Sequence, residues 1–174
     1  MDSPEVRYQS RIFRVVRESY LDHQGERHER DVILHPGAVT ILPLLDDGRV
    51  CLIRNFRVAT GETLIELPAG TLNVGEDPAL AAIRELEEET GFRCGKLERL
   101  CAFYLSPGIL SERMHLYVAR ELTPGPMALE AGEQIETHIV SWEEALELVR
   151  EGKIQDAKTM VGLMFYDRFR RGAP

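Results

Sequence analysis

Apolar and polar positions change period several times along the chain. Residues 11–21 and 27–35 alternate or cluster β-branched and apolar side chains around Gly25, which predicts a pair of N-terminal strands. Ala38–Leu45 is a nearly unbroken apolar run, followed by Asp46-Asp47-Gly48 and then Val50–Phe56; aspartate before glycine between two such runs predicts a hairpin. Thr63–Leu67 reads as another strand. It stops at Pro68, which cannot donate to a central ladder, and Ala69–Glu76 reads as a loop.

The next segment is marked at both ends. Asp77 suits an N-cap, Pro78 the first helical position and Gly91 a left-handed C-terminal cap, so Pro78–Thr90 is predicted to be one helix. Leu97–Leu105, Met114–Ala119 and Ile135–Val140 have strand character, the last following the polar stretch Thr123–Gln134. Ser141 and Glu144 stand at capping-box spacing and open a helix through Val149 that Gly152 closes. Ala157–Phe169 carries Met160, Val161, Leu163, Met164 and Phe165 and predicts a packed terminal helix. Strands on both sides of a marked helix, with a helix at the end, predict an α+β domain with a mixed β-sheet between helices.

A chain of 174 residues suits one compact domain, and 44% hydrophobic with 29% charged residues is an ordinary globular composition. No apolar run approaches the roughly 20 residues that span a bilayer, and Asp2, Glu5, Arg7, Arg11, Arg14 and Arg17 interrupt the N-terminus, so neither a membrane span nor a secretory signal is expected. The cytoplasm is the expected compartment. Cys51, Cys94 and Cys101 are odd in number and lack paired spacing, which predicts buried free thiols rather than disulfides or a zinc site. A net charge of -8 opposes a polyanion, so nucleic acid is not an expected partner. A small phosphate-bearing substrate remains compatible wherever local cations receive it.

On the predicted helix Glu85, Glu88 and Glu89 fall within an arc of about 100°, while Leu80, Ile83 and Leu86 project to the other side. Like charges so placed destabilise an isolated helix, and a divalent cation would turn the repulsion into attraction. Magnesium, which takes an octahedral oxygen shell completed by water and phosphate, suits such a group. Spacing alone would equally fit a solvated face. The surroundings change that reading, because Gly70, Glu76, Arg84, Glu85, Leu86, Glu88, Glu89, Gly91 and Phe92 follow the pattern Gly-x5-Glu-x7-Arg-Glu-aliphatic-x-Glu-Glu-x-Gly-apolar.

In every one of those positions the chain resembles the Nudix hydrolases, a family of αβα sandwich fold that uses magnesium or manganese to cleave nucleoside diphosphates linked to another moiety. The resemblance implies that Glu85 and Glu89 are the principal metal ligands and that the Ala69 carbonyl is a further one. Glu88 would bind or orient another metal or its water, with Arg84 holding a carboxylate in place. It narrows to the ADP-ribose pyrophosphatase subfamily through Pro107, fifteen residues beyond Phe92, and through Arg54-Asn55-Phe56-Arg57, Glu66-Leu67-Pro68-Ala69-Gly70 and Ser111-Glu112-Arg113. Within Ser106-Pro107-Gly108, Ser106 and Gly108 become candidates for substrate contact. Arg54 and Arg57, at the end of an apolar strand, could clamp a diphosphate bidentately. By resemblance Glu66 and Glu112 flank the same cleft and bind the terminal ribose or orient metal-bound water. Glu130, Glu133 and Glu136 are three candidates for a mobile loop carboxylate acting on the attacking water, with Glu133 preferred for its place just before the Ile135 strand.

The same resemblance implies a homodimer in which an N-terminal strand extension, residues 1–36, contacts the adenine through Arg11 and Ile12. Residues 37–174 would form the hydrolase domain. By the same resemblance Phe13 is a further candidate for the adenine contact; otherwise it reads, like Tyr20, as strand core, and His35 and His115, without metal-ligand spacing, read as structural. The implied activity is Mg2+-dependent hydrolysis of ADP-ribose to AMP and ribose 5-phosphate. Its alternatives are a Nudix pyrophosphatase for another nucleotide sugar, of the GDP-mannose or ADP-glucose type, and a noncatalytic nucleotide-sensing module.

Overall fold

The structure, a computed structural model, describes residues 4–172, so the outermost residues of both expected segments, 1–3 and 173–174, lie outside it. Ten strands and three helices follow in the order β1 (Glu5–Gln9), β2 (Arg14–Leu21), β3 (Arg27–Leu34), β4 (Ala38–Pro43), β5 (Val50–Arg57), β6 (Glu62–Glu66) and β7 (Ala69–Thr71), then α1 (Pro78–Thr90). After α1 come β8 (Phe92–Tyr104), β9 (Arg113–Pro124), β10 (Ile135–Val140), α2 (Trp142–Arg150) and α3 (Ala157–Phe169). Strands β7-β4-β9-β8 form a mixed sheet in which β4 and β9 run parallel, β10-β5-β6 form an antiparallel sheet, and β1-β2-β3 form a third.

Alternation along β4 and β9 explains the layering. Val39, Ile41, Tyr117 and Ala119 pack with Ala81, Ala82 and Leu86 of α1, whereas Leu42, Leu116 and Val118 pack with Trp142, Ala145, Leu163 and Tyr166 of α2 and α3. Because both faces of these strands are buried, their sequences read as continuous apolar runs. The result is the expected sandwich of helices about a mixed sheet.

Several expectations change. Asp46-Asp47-Gly48 does make a turn, with the Gly48 amide donating to the Leu45 carbonyl at 2.9 Å, but only Leu44 and Val50 bridge across it. Beyond that bridge β4 and β5 part into different sheets, because each has two apolar faces to cover. Ala69–Thr71 is a short strand on β4 rather than loop, and Glu5–Gln9 is an additional strand on β2. Residues 10–13 are a turn instead of strand: the Ser10 hydroxyl accepts from the Ile12 and Phe13 amides at 3.2 and 2.9 Å. This local side-chain bonding competes with strand pairing. No helix among the described residues is long and apolar enough to cross a membrane.

Helix α3 follows its sequence pattern in part, with Leu163 buried and Met160 and Phe165 packed against the core. It buries Lys158, Thr159, Gly162, Leu163 and Tyr166 and exposes Val161 and Met164. Leu163 and Tyr166 share the inward face with Lys158, Thr159 and Gly162.

Candidate active site

Helix α1 forms where its caps predict. The Asp77 carboxylate accepts from the Ala79 amide at 2.7 Å, and Gly91, at φ 71°, closes the C-terminus with its amide on the Glu87 carbonyl. The buried stripe of the helix is Ala82, Glu85, Leu86 and Glu89, while Leu80, expected inside, is 64% exposed. Two of the three carboxylates therefore sit on the packed face: Glu85 is 9% and Glu89 3% exposed. The apolar-versus-acidic division expected from sequence fails because the sheet offers α1 room for small side chains near β4 and a polar gap beside β7.

Burying ionised carboxylates is costly unless a cation or strong donors compensate. Burial raises the pKa of both, and for Glu89 the charges of Glu85 and Glu133 assist, pushing it up to about 8 against the opposing Ala69 amide and Arg57 charge. Glu89 Oε2 accepts the Ala69 amide at 2.8 Å, and among the described residues it has no cationic hydrogen-bond partner. Gly70 makes the crowding possible: a Cβ there would fall 2.0 Å from the Glu85 carboxyl carbon. Acidic oxygen donors packed this tightly, with one glycine removed from their path, fit a hard divalent cation.

Arg84 braces the group from outside. Its Nη1 donates to Glu85 Oε1 at 2.6 Å and to Glu88 Oε2 at 3.0 Å, and its Nε lies 3.2 Å from Glu76 Oε1. Glu76 also accepts the Asn73 amide at 2.8 Å, tying the β7–α1 loop to the helix; that bond and Arg84 hold its carboxyl below the usual range. The spacing of Glu76, Arg84, Glu85 and Glu88 is thus one ion-pair array seen along the chain.

A cleft of about 1140 Å³ opens over this array. It brings together Glu85, Glu89, Ala69 and Gly70 on one wall, Arg57 and Asn55 of β5 beside them, Glu130 and Glu133 on the β9–β10 loop, and Arg11, Ile12 and Phe13 of the N-terminal turn. Phe13, for which the sequence left adenine contact and strand core open, lines this cleft, with its ring 6.1 Å from that of Tyr8. Glu133 Oε2 accepts the Glu130 amide at 2.8 Å, which orders the loop tip, and Arg11 lies 3.6 Å from Glu130. Glu136 sits opposite Arg54 on β10 and β5, away from the lining.

Other expected residues lie elsewhere. Arg54 points outward because alternate positions on β5 face opposite sides, and Asn55 takes the cleft position. Glu66 does not flank the cleft: it is 1% exposed and stands behind Arg57, whose Nε and Nη2 donate to its two oxygens at 2.8 and 2.6 Å. Glu112 lies outside the lining, 3.9 Å from His35, which does line it. Ser106 and Gly108 are exposed in the β8–β9 loop, where the Ser106 carbonyl accepts the Ile109 and Leu110 amides and the Ile109 carbonyl accepts the Ile33 amide. Asn55 was signalled in sequence by its polarity inside an apolar strand; Lys158, whose ammonium also bonds Glu66, gave no local signal.

The acidic array and the cleft beside it are what a hydrolase that works with a divalent metal would need, and they stand on an αβα sandwich. The NUDIX domain model matches residues 34–161, and the chain belongs to the Nudix hydrolase family. It is 39% identical to an ADP-ribose pyrophosphatase of Bacillus subtilis over 143 residues, covering 81% of this chain and 77% of that one. It is 38% identical over 151 residues to a GDP-mannose pyrophosphatase of Cronobacter sakazakii, covering 80% and 78%. A solved ADP compounds hydrolase superposes with a TM-score of 0.83 at 24% identity over 99% of this chain and 96% of that one, which shows the shared fold.

Proposed function

We propose that this protein hydrolyses the pyrophosphate bond of ADP-ribose, releasing AMP and ribose 5-phosphate, with Mg2+ as the cofactor. The observation that carries the reading is the meeting, in one cleft, of buried Glu85 and Glu89 with the Arg57 guanidinium and the loop carboxylate Glu133. A diphosphate needs cationic contacts on its oxygens and a base for the attacking water, and these groups supply both. The Bacillus subtilis relative supports ADP-ribose in particular.

Glu85, Glu89 and the Ala69 carbonyl would hold the metal, with Glu88 contributing from the flank. A divalent ion bound there would polarise the phosphoryl oxygens and lower the pKa of a water. Arg84 keeps Glu85 and Glu88 in place, and the Ala69 amide keeps Glu89 turned inward. Arg57 presents its Nη1 side to the diphosphate while Glu66 occupies the other edge. Glu133 receives the proton of the attacking water on its carboxylate. Arg11 and Ile12 contact the nucleoside from the N-terminal turn, whereas Arg54, Glu112, Ser106 and Gly108, outside the lining of this cleft, are given no role in it. The β1–β3 sheet supports a homodimer, since only Val16 of its strands is buried while Val6, Tyr8, Tyr20 and Leu21 remain exposed.

Purified protein with Mg2+ should release AMP from ADP-ribose, and no release would refute the proposal. The Cronobacter relative favours a second reading, a GDP-mannose-type substrate. Comparing kcat/KM across ADP-ribose, GDP-mannose and ADP-glucose separates the two, because discrimination rests on few pocket contacts.

A further inference from the structure

Helix α3 turns Lys158 and Thr159 toward the sheet while leaving Val161 and Met164 in water. Burying a lysine is unfavourable unless it is paired and hydrogen-bonded, and an apolar replacement of a buried ion pair is often no less stable. Stability is therefore a poor account of the choice, and what Lys158 meets offers a better one.

Its ammonium bonds Glu66 Oε2 and lies 3.0 Å from Asp156 Oδ1. Glu66 in turn receives Arg57 along one guanidinium edge. Burial alone would push the Glu66 carboxyl up, but the Arg57 hydrogen bonds and the Lys158 charge hold it below its usual value. Taken whole, the chain of contacts sets two carboxylates, Glu66 and Asp156, against one ammonium, Lys158, and one guanidinium, Arg57. Its outer end, Arg57, is 40% exposed and lines the cleft. The neighbouring residue extends the grip: the Leu67 amide donates to Thr159 Oγ1 at 2.7 Å, and a Cβ at Gly162 would reach 2.5 Å from Leu67 Cδ1. Thus consecutive residues of α3 hold consecutive residues at the end of β6, two positions before Ala69.

We propose that Lys158 is a positioning residue of the active site, fixing the Arg57 guanidinium in the cleft by clamping Glu66 from behind. This rests on the reading of Arg57 as the diphosphate contact. An arginine held on one edge has lost most of its rotamer freedom before substrate arrives, so binding need not pay for it. Without Lys158, Glu66 keeps one cation for a buried charge, draws Arg57 inward and no longer has a fixed orientation.

The test is a double-mutant cycle on the full chain with Mg2+ and ADP-ribose, using Lys158→Met, Arg57→Ala and the pair. Lys158→Met should raise KM roughly tenfold with kcat changed less than about threefold. Lys158→Arg should restore most of the loss, and in the Arg57→Ala background Lys158→Met should add less than about twofold. An equal effect in both backgrounds, or an unchanged KM, would overturn the proposal. If Lys158→Met does not fold, Glu66→Gln takes its place in the same cycle with the same criteria, since it keeps the side-chain shape while weakening the clamp. Calorimetric binding of ADP, run on the same proteins, separates the two readings. Absence of turnover in the wild type would refute the hydrolase reading, while weaker ADP binding in Lys158→Met that vanishes in the Arg57→Ala background would still support the clamp; equal weakening in both would refute it.

Discussion

Gly70→Ala isolates the packing that makes the acidic array possible. Gly70 has no left-handed backbone requirement, so alanine can adopt its conformation, and the three atoms nearest the new Cβ all belong to the Glu85 carboxyl, its carbon and Oε1 at 2.0 Å and its Oε2 at 2.3 Å. Nonbonded carbons rest near 3.5 Å or more, so the carboxylate must withdraw by about 1.5 Å. The flexible end can withdraw, but only by drawing its Oε1 away from the Arg84 Nη1 that holds it at 2.6 Å and that Glu88 shares. A misplacement of about 1 Å in a reacting constellation can reduce the rate by about 100-fold. Gly70→Ala should therefore lower kcat by roughly 100-fold. The flexible end of Glu85 absorbs the clash, so unfolding stability should change by less than about 1 kcal/mol. Steady-state kinetics at saturating Mg2+ and thermal unfolding of the metal-free protein measure the two effects. Retention of kcat within about threefold, with an unchanged Tm, would show that Glu85 does not need its present position.

Gly91→Ala should do the reverse: at φ 71° with the Gly125 carbonyl 2.5 Å from the added Cβ, it should cost about 2 kcal/mol of stability, read as a Tm drop of roughly 5 °C. Metal-free protein should become less stable as pH rises from the ordinary carboxylate range through about 8, because burial raises the Glu89 pKa and the folded state then binds a proton that the unfolded state has released. Added Mg2+ should consequently raise Tm more at pH 9 than at pH 6, and an equal rise at both would contradict the assignment of Glu89 as a ligand. Glu133→Gln should reduce kcat by roughly 100-fold, whereas Glu136→Gln, opposite Arg54 and outside the cleft, should leave it within about twofold. Comparable losses in both would remove Glu133 from the role of base.

Local signals were legible and pairings were not. The bounds of α1 follow from Asp77, Pro78 and Gly91, each acting through its own backbone or the next turn. The Ser141 cap of α2 was equally visible, with its hydroxyl accepting the Glu144 amide at 3.1 Å. Which strand lies beside which is a different kind of information. Asp46-Asp47-Gly48 specifies a turn but cannot hold β4 on β5 when β4 finds β9 and β7, and β5 finds β10 and β6. Residues 10–13 failed for the opposite reason, since a single serine hydroxyl outcompeted the β-branched pattern around it.

The acidic group shows why contiguous spacing can find a site yet misplace its chemistry. Helical periodicity put Glu85, Glu88 and Glu89 together, and they are together, but it set them opposite the apolar face when Glu85 and Glu89 lie within it. That reversal matters for mechanism. Exposed carboxylates would bind a cation weakly against water, whereas buried ones, with pKa values raised by burial, are poised to exchange a proton for a metal. On α3 the apolar residues mark a packed helix, but nothing local marks Lys158 and Thr159 as buried. Their partners Glu66 and Leu67 stand more than ninety residues earlier, a separation that no periodicity spans. Lys158 and Thr159 share the buried face with Leu163 and Tyr166, and through Glu66 the contacts of that face lead from α3 to Arg57.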